Sequence, residues 1–155
     1  MNLLEHEAKH LFRQYGIATP RGLFFKDMTR VESSLSNLKF PLMVKAQTTR
    51  GGRGKAGGIR TALHKQEALE ACERMLGTSL AGMKVHGVLL EEMVDASKEI
   101  YLAFTIDQRS RCPLLLVGSA GGMDVEGMPA HTVKRWTLDP LEPLPGEVLV
   151  QASRF

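Results

Sequence analysis

The hydrophobic positions divide the chain into segments of two periods. Leu4, Ala8, Leu11, Phe12 and Tyr15 recur at helical spacing and predict a first helix from about Leu3 to Tyr15. Gly16 suits a C-terminal cap there, and Pro20 ends the segment. Gly22 to Phe25 reads as a short strand. Thr29-Arg30-Val31-Glu32 has the form of a capping box and opens a second helix with Val31, Leu35 and Leu38 on its buried side. Pro41 to Gln47 and Ile59 to Leu63 read as strands that flank a glycine-rich stretch. Residues 65–76 predict a third helix with Leu69, Cys72 and Leu76 facing inward, and Val85 to Leu90 a further strand. From Glu99 to Ile106 the pattern alternates, with Ile100, Leu102, Phe104 and Ile106 on one side. Asp107 to Arg111 is a polar turn, and Cys112 to Gly118 returns as the second arm of a hairpin. A second glycine-containing loop runs from Ser119 to Gly122. The stretch from Asp139 to Gly146 has three prolines and no period. Mixed helices and strands place the chain in the α/β (α+β) class.

Composition narrows the function classes. At 155 residues with 43% hydrophobic content, the chain suffices for about one domain. No apolar run approaches the ~20 residues of a bilayer span, and the N-terminus lacks the pattern of a signal peptide. A soluble, cytoplasmic protein is the expectation, with no membrane partner. Aromatic residues make up 6%, which argues against a base-stacking surface for nucleic acid. Cys72 and Cys112 form neither a metal pair nor a disulfide framework, and Cys72 reads as a core residue.

The net charge of +3 conceals a concentration of cations. From Pro41 to Lys65 the six bases Lys45, Arg50, Arg53, Lys55, Arg60 and Lys65 meet no acid. The remaining residues hold 14 bases and 17 acids, a balance of −3. One local cationic stretch in a near-neutral chain points to a compact anionic ligand.

Three motifs compete. His6-Glu7-Ala8-Lys9-His10 fits the HExxH zinc pattern. At about 100° per residue, however, both histidines lie opposite the apolar face and are expected in solvent. Arg13 and Gly16 stand where the extended three-histidine form needs glycine and histidine, and nothing places Glu32 as a third ligand. A metalloprotease is thus a remote alternative. Gly52-Arg53-Gly54-Lys55-Ala56-Gly57 is a GxGxxG string. The residues after it, Gly58 to Thr61, read as a turn and a strand, where a dinucleotide site needs a helix. No Walker A lysine-serine or lysine-threonine pair occurs. The same stretch also reads as a flap between two strands. Five glycines in residues 51–58 let backbone N–H groups approach phosphate oxygens, Arg53 and Lys55 add charge, and Lys45 on the entering strand reaches a phosphate. Such flaps cover nucleotide in kinases and ATP-grasp enzymes, and the kinase catalytic loop is absent.

These residues carry a resemblance. Asn2-Leu3 with Glu5, Ala8 and Lys9, then Val44-Lys45-Ala46-Gln47 with Gly51 through Gly58, resemble the succinyl-CoA synthetase β-subunit family. Leu90-Glu91, Lys98-Glu99, Tyr101-Leu102, the turn residues Asp107, Arg109 and Arg111, Gly121-Gly122-Met123-Asp124-Val125-Glu126 and Leu138-Asp139-Pro140-Leu141 are similar to further stretches of it. Malyl-CoA synthetase shares the pattern nearly as well.

The resemblance implies an ATP-grasp fold and a ligase of the tricarboxylic acid cycle. Lys45 would contact phosphate, Gly52, Arg53 and Gly54 would line the flap, Glu91 and the backbone of Val94 would hold the base, and Glu99 would be a polar contact. ATP or GTP would bind with magnesium. Its γ-phosphoryl group would pass to a histidine of a partner α subunit, so no catalytic residue and no metal ligand is expected on this chain. Ala120 stands where many relatives have an acid. Family β subunits are more than twice as long, and their magnesium ligands would come after Phe155, so the fold is expected to be incomplete: an N-terminal portion, inactive alone and prone to self-association. The expected division is residues 1–20 as a helix packing with the second subdomain, 21–95 as the flap-bearing subdomain and 96–155 as part of the second. A non-catalytic assembly module that pairs with an α subunit is the alternative outside enzymology.

Overall fold

The computed structural model describes residues 3–49, 52–119, 121 and 132–154. In chain order the elements are α1 (Glu5–Gln14), β1 (Gly22–Phe25), α2 (Val31–Ser34) running into a 3-10 turn (Leu35–Asn37), β2 (Leu42–Ala46), β3 (Ile59–Ala62), α3 (Lys65–Met75), β4 (Ser79–Leu80), β5 (Met83–Lys84), β6 (Val88–Glu92), β7 (Tyr101–Asp107), β8 (Cys112–Gly118), β9 (Val133–Thr137) and α4 (Gly146–Ala152). They fall into two compact units, Met1–Asp95 and Ala96–Phe155. The chain belongs to the mixed helix-and-strand class expected of it.

The first unit is built on an antiparallel sheet in the order β1-β6-β2-β3. Strand alternation sends Leu42, Val44 and Ala46 of β2 and Val88 and Leu90 of β6 to one face, where they meet Val31, Leu35, Ala68, Cys72 and Met75 in a buried core. The capping-box reading is corrected at α2. Arg30, not Thr29, precedes the helix, no side chain caps it, and after one turn it tightens into the 3-10 form. Asp27 accepts the Thr29 N–H instead, at 2.9 Å, in a turn ahead of the helix. On α3 the buried side is Ala68, Ala71, Cys72 and Met75, rotated from the expected Leu69–Leu76 line. Small residues there let the helix sit close on the sheet.

The other sheet face carries the chemistry. Register places Gly22 and Phe24 of β1, Leu89 and Glu91 of β6, and Met43 and Lys45 of β2 side by side. Both Leu89 and Glu91 are buried, so β6 is covered on both faces.

Helix α1 falls within this first unit. Its orientation differs from the one its apolar stripe predicts. The apolar residues Leu11, Phe12 and Tyr15 are exposed, Tyr15 to 83%. His6, expected in solvent, is half-buried with its ring stacked on Phe24 at 3.6 Å, while His10 is exposed. The polar face docks because its charges find partners on the sheet, a selection that hydrophobic spacing cannot anticipate.

The second unit is an antiparallel sheet ordered β7-β8-β9. Leu115, Val117, Trp136 and Val148 form its small core, and Trp136 Nε1 donates to Gln151 Oε1 at 3.3 Å, tying α4 to β9. Leu102, Phe104 and Ile106 of β7 share the sheet face of Leu115 and Val117 yet are exposed. Strand β9 and helix α4 have no counterpart among the elements the residue pattern predicts. The three prolines lie just ahead of α4, which begins immediately after Pro145. Of the second glycine loop and the stretch after it, Ala120 and residues 122–126 lie outside the described residues, as do Arg50 and Gly51.

The core generates two predictions. Leu90→Ala, emptying a fully buried position between β1 and β2, should cost ~2–5 kcal/mol in urea unfolding. Burial pushes the Cys72 thiol up to about 12, with Glu73 adding to the shift. A thiol reagent at pH 8 should therefore modify half-buried Cys112 on the native protein and reach Cys72 only after unfolding.

Candidate functional site

Five charged side chains from four places in the sequence converge on the α1 side of the first sheet. Lys45 on β2 and Glu91 on β6 share that face through the strand register. Lys45 Nζ lies 2.6 Å from Glu91 Oε2 and 3.2 Å from Glu5 Oε1. Lys9 Nζ, one helical turn after Glu5, lies 2.5 Å from Glu91 Oε1 and 2.9 Å from Glu5 Oε1. From the flap, Arg53 Nη1 reaches Glu5 Oε2 at 2.8 Å and donates to the Ala46 carbonyl at 3.0 Å. Three cations surround two carboxylates, leaving one net positive charge.

The cluster is largely withdrawn from water, which strengthens each of its interactions. The Glu91 side chain is only 4% exposed, and those of the other four are 17–20% exposed. Burial by itself would push the Glu5 carboxyl up. Lys45, Lys9 and Arg53 outweigh it and hold the group at about 2, below its ordinary 4.5. Burial would likewise drive Lys45 down, but its hydrogen bond to Glu91 and the charge of Glu5 raise it above its usual value. Lys45 is thus a firmly protonated ammonium.

The flap is a turn closed on itself. β2 and β3 pair directly, and the Ala46 N–H extends that ladder to the Gly58 carbonyl at 2.8 Å. Gly58 N–H donates to Arg53 O at 2.8 Å, Gly57 to Gly54 O at 3.1 Å and Ala56 to Gly52 O at 3.2 Å. Gly52 sits at φ +84°, a conformation that favours glycine. At Gly58 a Cβ would come within 2.6 Å of Leu80 Cδ1 and 3.2 Å of Arg53 O, so a side chain there would require Leu80 to swing away and the turn to give slightly. These three amides serve the turn, so it is through side chains, Lys45 and Arg53 among them, that the flap and its leading strand present positive charge.

Buried Gln47 joins α1 to the end of β2. Its Oε1 accepts the His6 N–H at 3.1 Å, and its Nε2 donates to Lys45 O at 3.2 Å. Beside the cluster, a cavity of about 430 Å³ opens between α1 and the sheet, lined by His6, Lys9, Pro20, Phe24, Leu89 and Glu91. Lys9 and Glu91 belong to both the cluster and the cavity.

Of the residues singled out from the sequence, Lys45, Arg53 and Glu91 are brought together, and Gly52 and Gly54 shape the turn that carries Arg53. Val94 comes just after β6 with its side chain exposed. Glu99 belongs to the second unit, where a Cβ at Gly121 would lie 3.0 Å from its own Cβ. Glu5 and Lys9 are cluster residues that the chemical reading of the sequence passes over. Their i,i+4 acid–base spacing is the available signal, but it is equally that of a solvated helix face. Among the described residues no three metal-ligating side chains gather, so the HExxH histidines belong to no such group.

A strand–flap–strand that brings a lysine and an arginine together beside a buried acid and an open cavity is an arrangement with the chemistry to hold an anion. The model of the ATP-grasp domain matches residues 2–153, and the chain belongs to that family. Among curated proteins it is 38% identical over 143 residues to the succinate–CoA ligase [ADP-forming] β subunit of Ignicoccus hospitalis, covering 92% of this chain and 38% of that one. The Aquifex aeolicus subunit of the same name is 36% identical over 164 residues, covering 100% of this chain and 42% of the relative. The chain thus spans about two fifths of the length of these relatives. The dinucleotide-forming acetyl-CoA synthetase 1 of Ca. Korarchaeum cryptofilum, solved with coenzyme A, Ca-AMPCP and HgCl+, aligns with TM-score 0.76 at 21% identity over 99% of this chain and 66% of its own. PH1788 from Pyrococcus horikoshii aligns with TM-score 0.76 at 17% identity, over 98% and 63%. These two likenesses concern the fold.

The depressed carboxyl of Glu5 fixes the sign of an acid effect. A group whose folded pKa lies below its unfolded value contributes stability above the unfolded value and loses it as pH falls through the folded one. The stability gap between the native chain and Glu5→Gln should be full at pH 7 and close between about pH 4.5 and about pH 2, read from urea midpoints across that range.

Proposed function

We propose that this chain is the nucleotide-holding part of an acid–CoA ligase β subunit of the succinate–CoA ligase type. The observation that carries the reading is the convergence of Lys45 and Arg53 beside the 430 Å³ cavity. Lys45 and Arg53 bind nucleotide phosphates, as an ammonium point charge and a planar fork of donors. The flap lays Arg53, Gly52 and Gly54 over them. Glu91 keeps Lys45 protonated and in place, and the cavity that Glu91 also lines takes the base. The backbone of Val94 contributes a contact at the edge of the base site.

In this reading the nucleotide is ATP or GTP bound with magnesium, whose charge neutralises phosphate oxygens. The described residues supply no ligand set for the ion. The γ-phosphoryl group passes to a histidine of a partner α subunit, and the phosphorylated histidine then activates the acid. This chain's own residues bind and orient the phosphates and keep water from them. The protein acts in the cytoplasm, and no helix among its described residues is long and apolar enough to cross a membrane. Alone, the chain forms no acyl-CoA.

Calorimetric titration with Mg·ATP tests this. The native chain should bind, and Lys45→Met should weaken binding by at least about tenfold, the loss of one charge-assisted contact. Unchanged affinity in a folded Lys45→Met would overturn the assignment.

A further inference from the structure

The Glu5 carboxylate has more cations around it than a surface helix residue needs. It belongs to the first turn of α1, where an acid ordinarily interacts with the helix dipole and water. Here Oε1 lies against Lys9 and Lys45, while Oε2 is ion-paired with Arg53 at 2.8 Å but accepts no hydrogen bond, so cations from three separate elements surround the carboxylate. The two cations the proposed function gives to phosphate, Lys45 and Arg53, are the ones this carboxylate occupies. A phosphate oxygen accepts from ammonium and guanidinium groups in the same manner as a carboxylate oxygen, and a polyphosphate brings more negative charge.

The two acids of the cluster are unequal. Glu91 holds Lys9 and Lys45 at 2.5 and 2.6 Å, both shorter than the 2.9 and 3.2 Å from the same lysines to Glu5. Glu91 sits within a strand paired on both sides. Glu5 sits on a helix with no fully buried residue, held to the sheet by ion pairs, the His6–Phe24 stack and the His6–Gln47 hydrogen bond. Elements with little buried apolar surface open at low cost. Glu91 is therefore the fixed partner of the lysines and Glu5 the exchangeable one.

We propose that Glu5 is a built-in anion filling the phosphate seat, and that nucleotide binds by displacing it from Lys45 and Arg53, releasing the first turn of α1. This rests on the nucleotide reading above. Helix α1 is then a strap over the seat. Empty, the site keeps its cations paired and rejects weak anions; a polyphosphate dislodges the strap.

The test uses the whole chain, Mg·ATP as the probe and two measurements. In calorimetry, Glu5→Gln keeps the side chain's shape, removes the competing charge and should bind on the order of tenfold more tightly than the native chain. In hydrogen exchange on the native chain, Mg·ATP should accelerate exchange of the α1 amides while protecting residues 52–58. A folded Glu5→Gln that binds no more tightly, or α1 amides that become protected, overturns the strap. Should Glu5→Gln fail to fold, the exchange measurement on the native chain decides alone. The Lys45→Met control separates the levels. If it abolishes binding while Glu5→Gln changes nothing, the strap fails and the site stands; if it leaves binding intact, the phosphate site itself is wrong.

Discussion

The pairing of Lys45 with Glu91 across β2 and β6 is the constraint on which the first unit turns. Two adjacent strands place an ammonium and a carboxylate on one buried face, and neither tolerates that burial alone. The requirement for further partners draws in Lys9 and Glu5 from α1 and Arg53 from the flap. Helix α1 and the flap both reach this pair, through Lys9 and through Glu5 with Arg53. The opposite sheet face is held by ordinary apolar packing of Val44, Leu90, Cys72 and Met75. The sheet thus separates a stabilising side from a chemical side.

This division explains why α1 docks by its polar face. Leu11, Phe12 and Tyr15 supply a clean helical stripe, and in isolation that stripe is the natural candidate for burial. Two carboxylates and two lysines converging at 2.5 to 3.2 Å inside a half-buried site select the other face. Buried charge networks specify geometry more than they add stability. Here the specified geometry is the placement of Glu5 and Lys9 over Lys45, Arg53 and Glu91.

The parts of the site legible in sequence are those whose chemistry is local. The glycine spacing from Gly52 to Gly58, the lysine on the entering strand and Arg53 within the turn announce a flap without knowledge of tertiary structure. Glu91 emerges only through resemblance, since an acid in an apolar strand does not reveal its partner. Glu5 and Lys9 stay hidden because an i,i+4 pair on an amphipathic helix looks the same whether solvated or buried. The fold divides in the same way. Strands Gly22–Phe25 and Cys112–Gly118 lie where the residue pattern puts them. Thr29 misleads because capping chemistry and an Asp-led turn use the same residue types. Helix α4 escapes the pattern because its seven residues are too few to display a period behind three prolines.

The central claim is that the α1 face of the first sheet holds nucleotide through the Lys45–Arg53 cluster. Amide chemical-shift mapping of the isotope-labelled chain during Mg·ATP titration tests it most directly. The account predicts saturable shifts concentrated at residues 5–9, 45–58 and 89–92. Shifts confined to the Val44–Cys72 face of the sheet, or a saturable response that bypasses Lys45, Arg53 and Glu91, would contradict it.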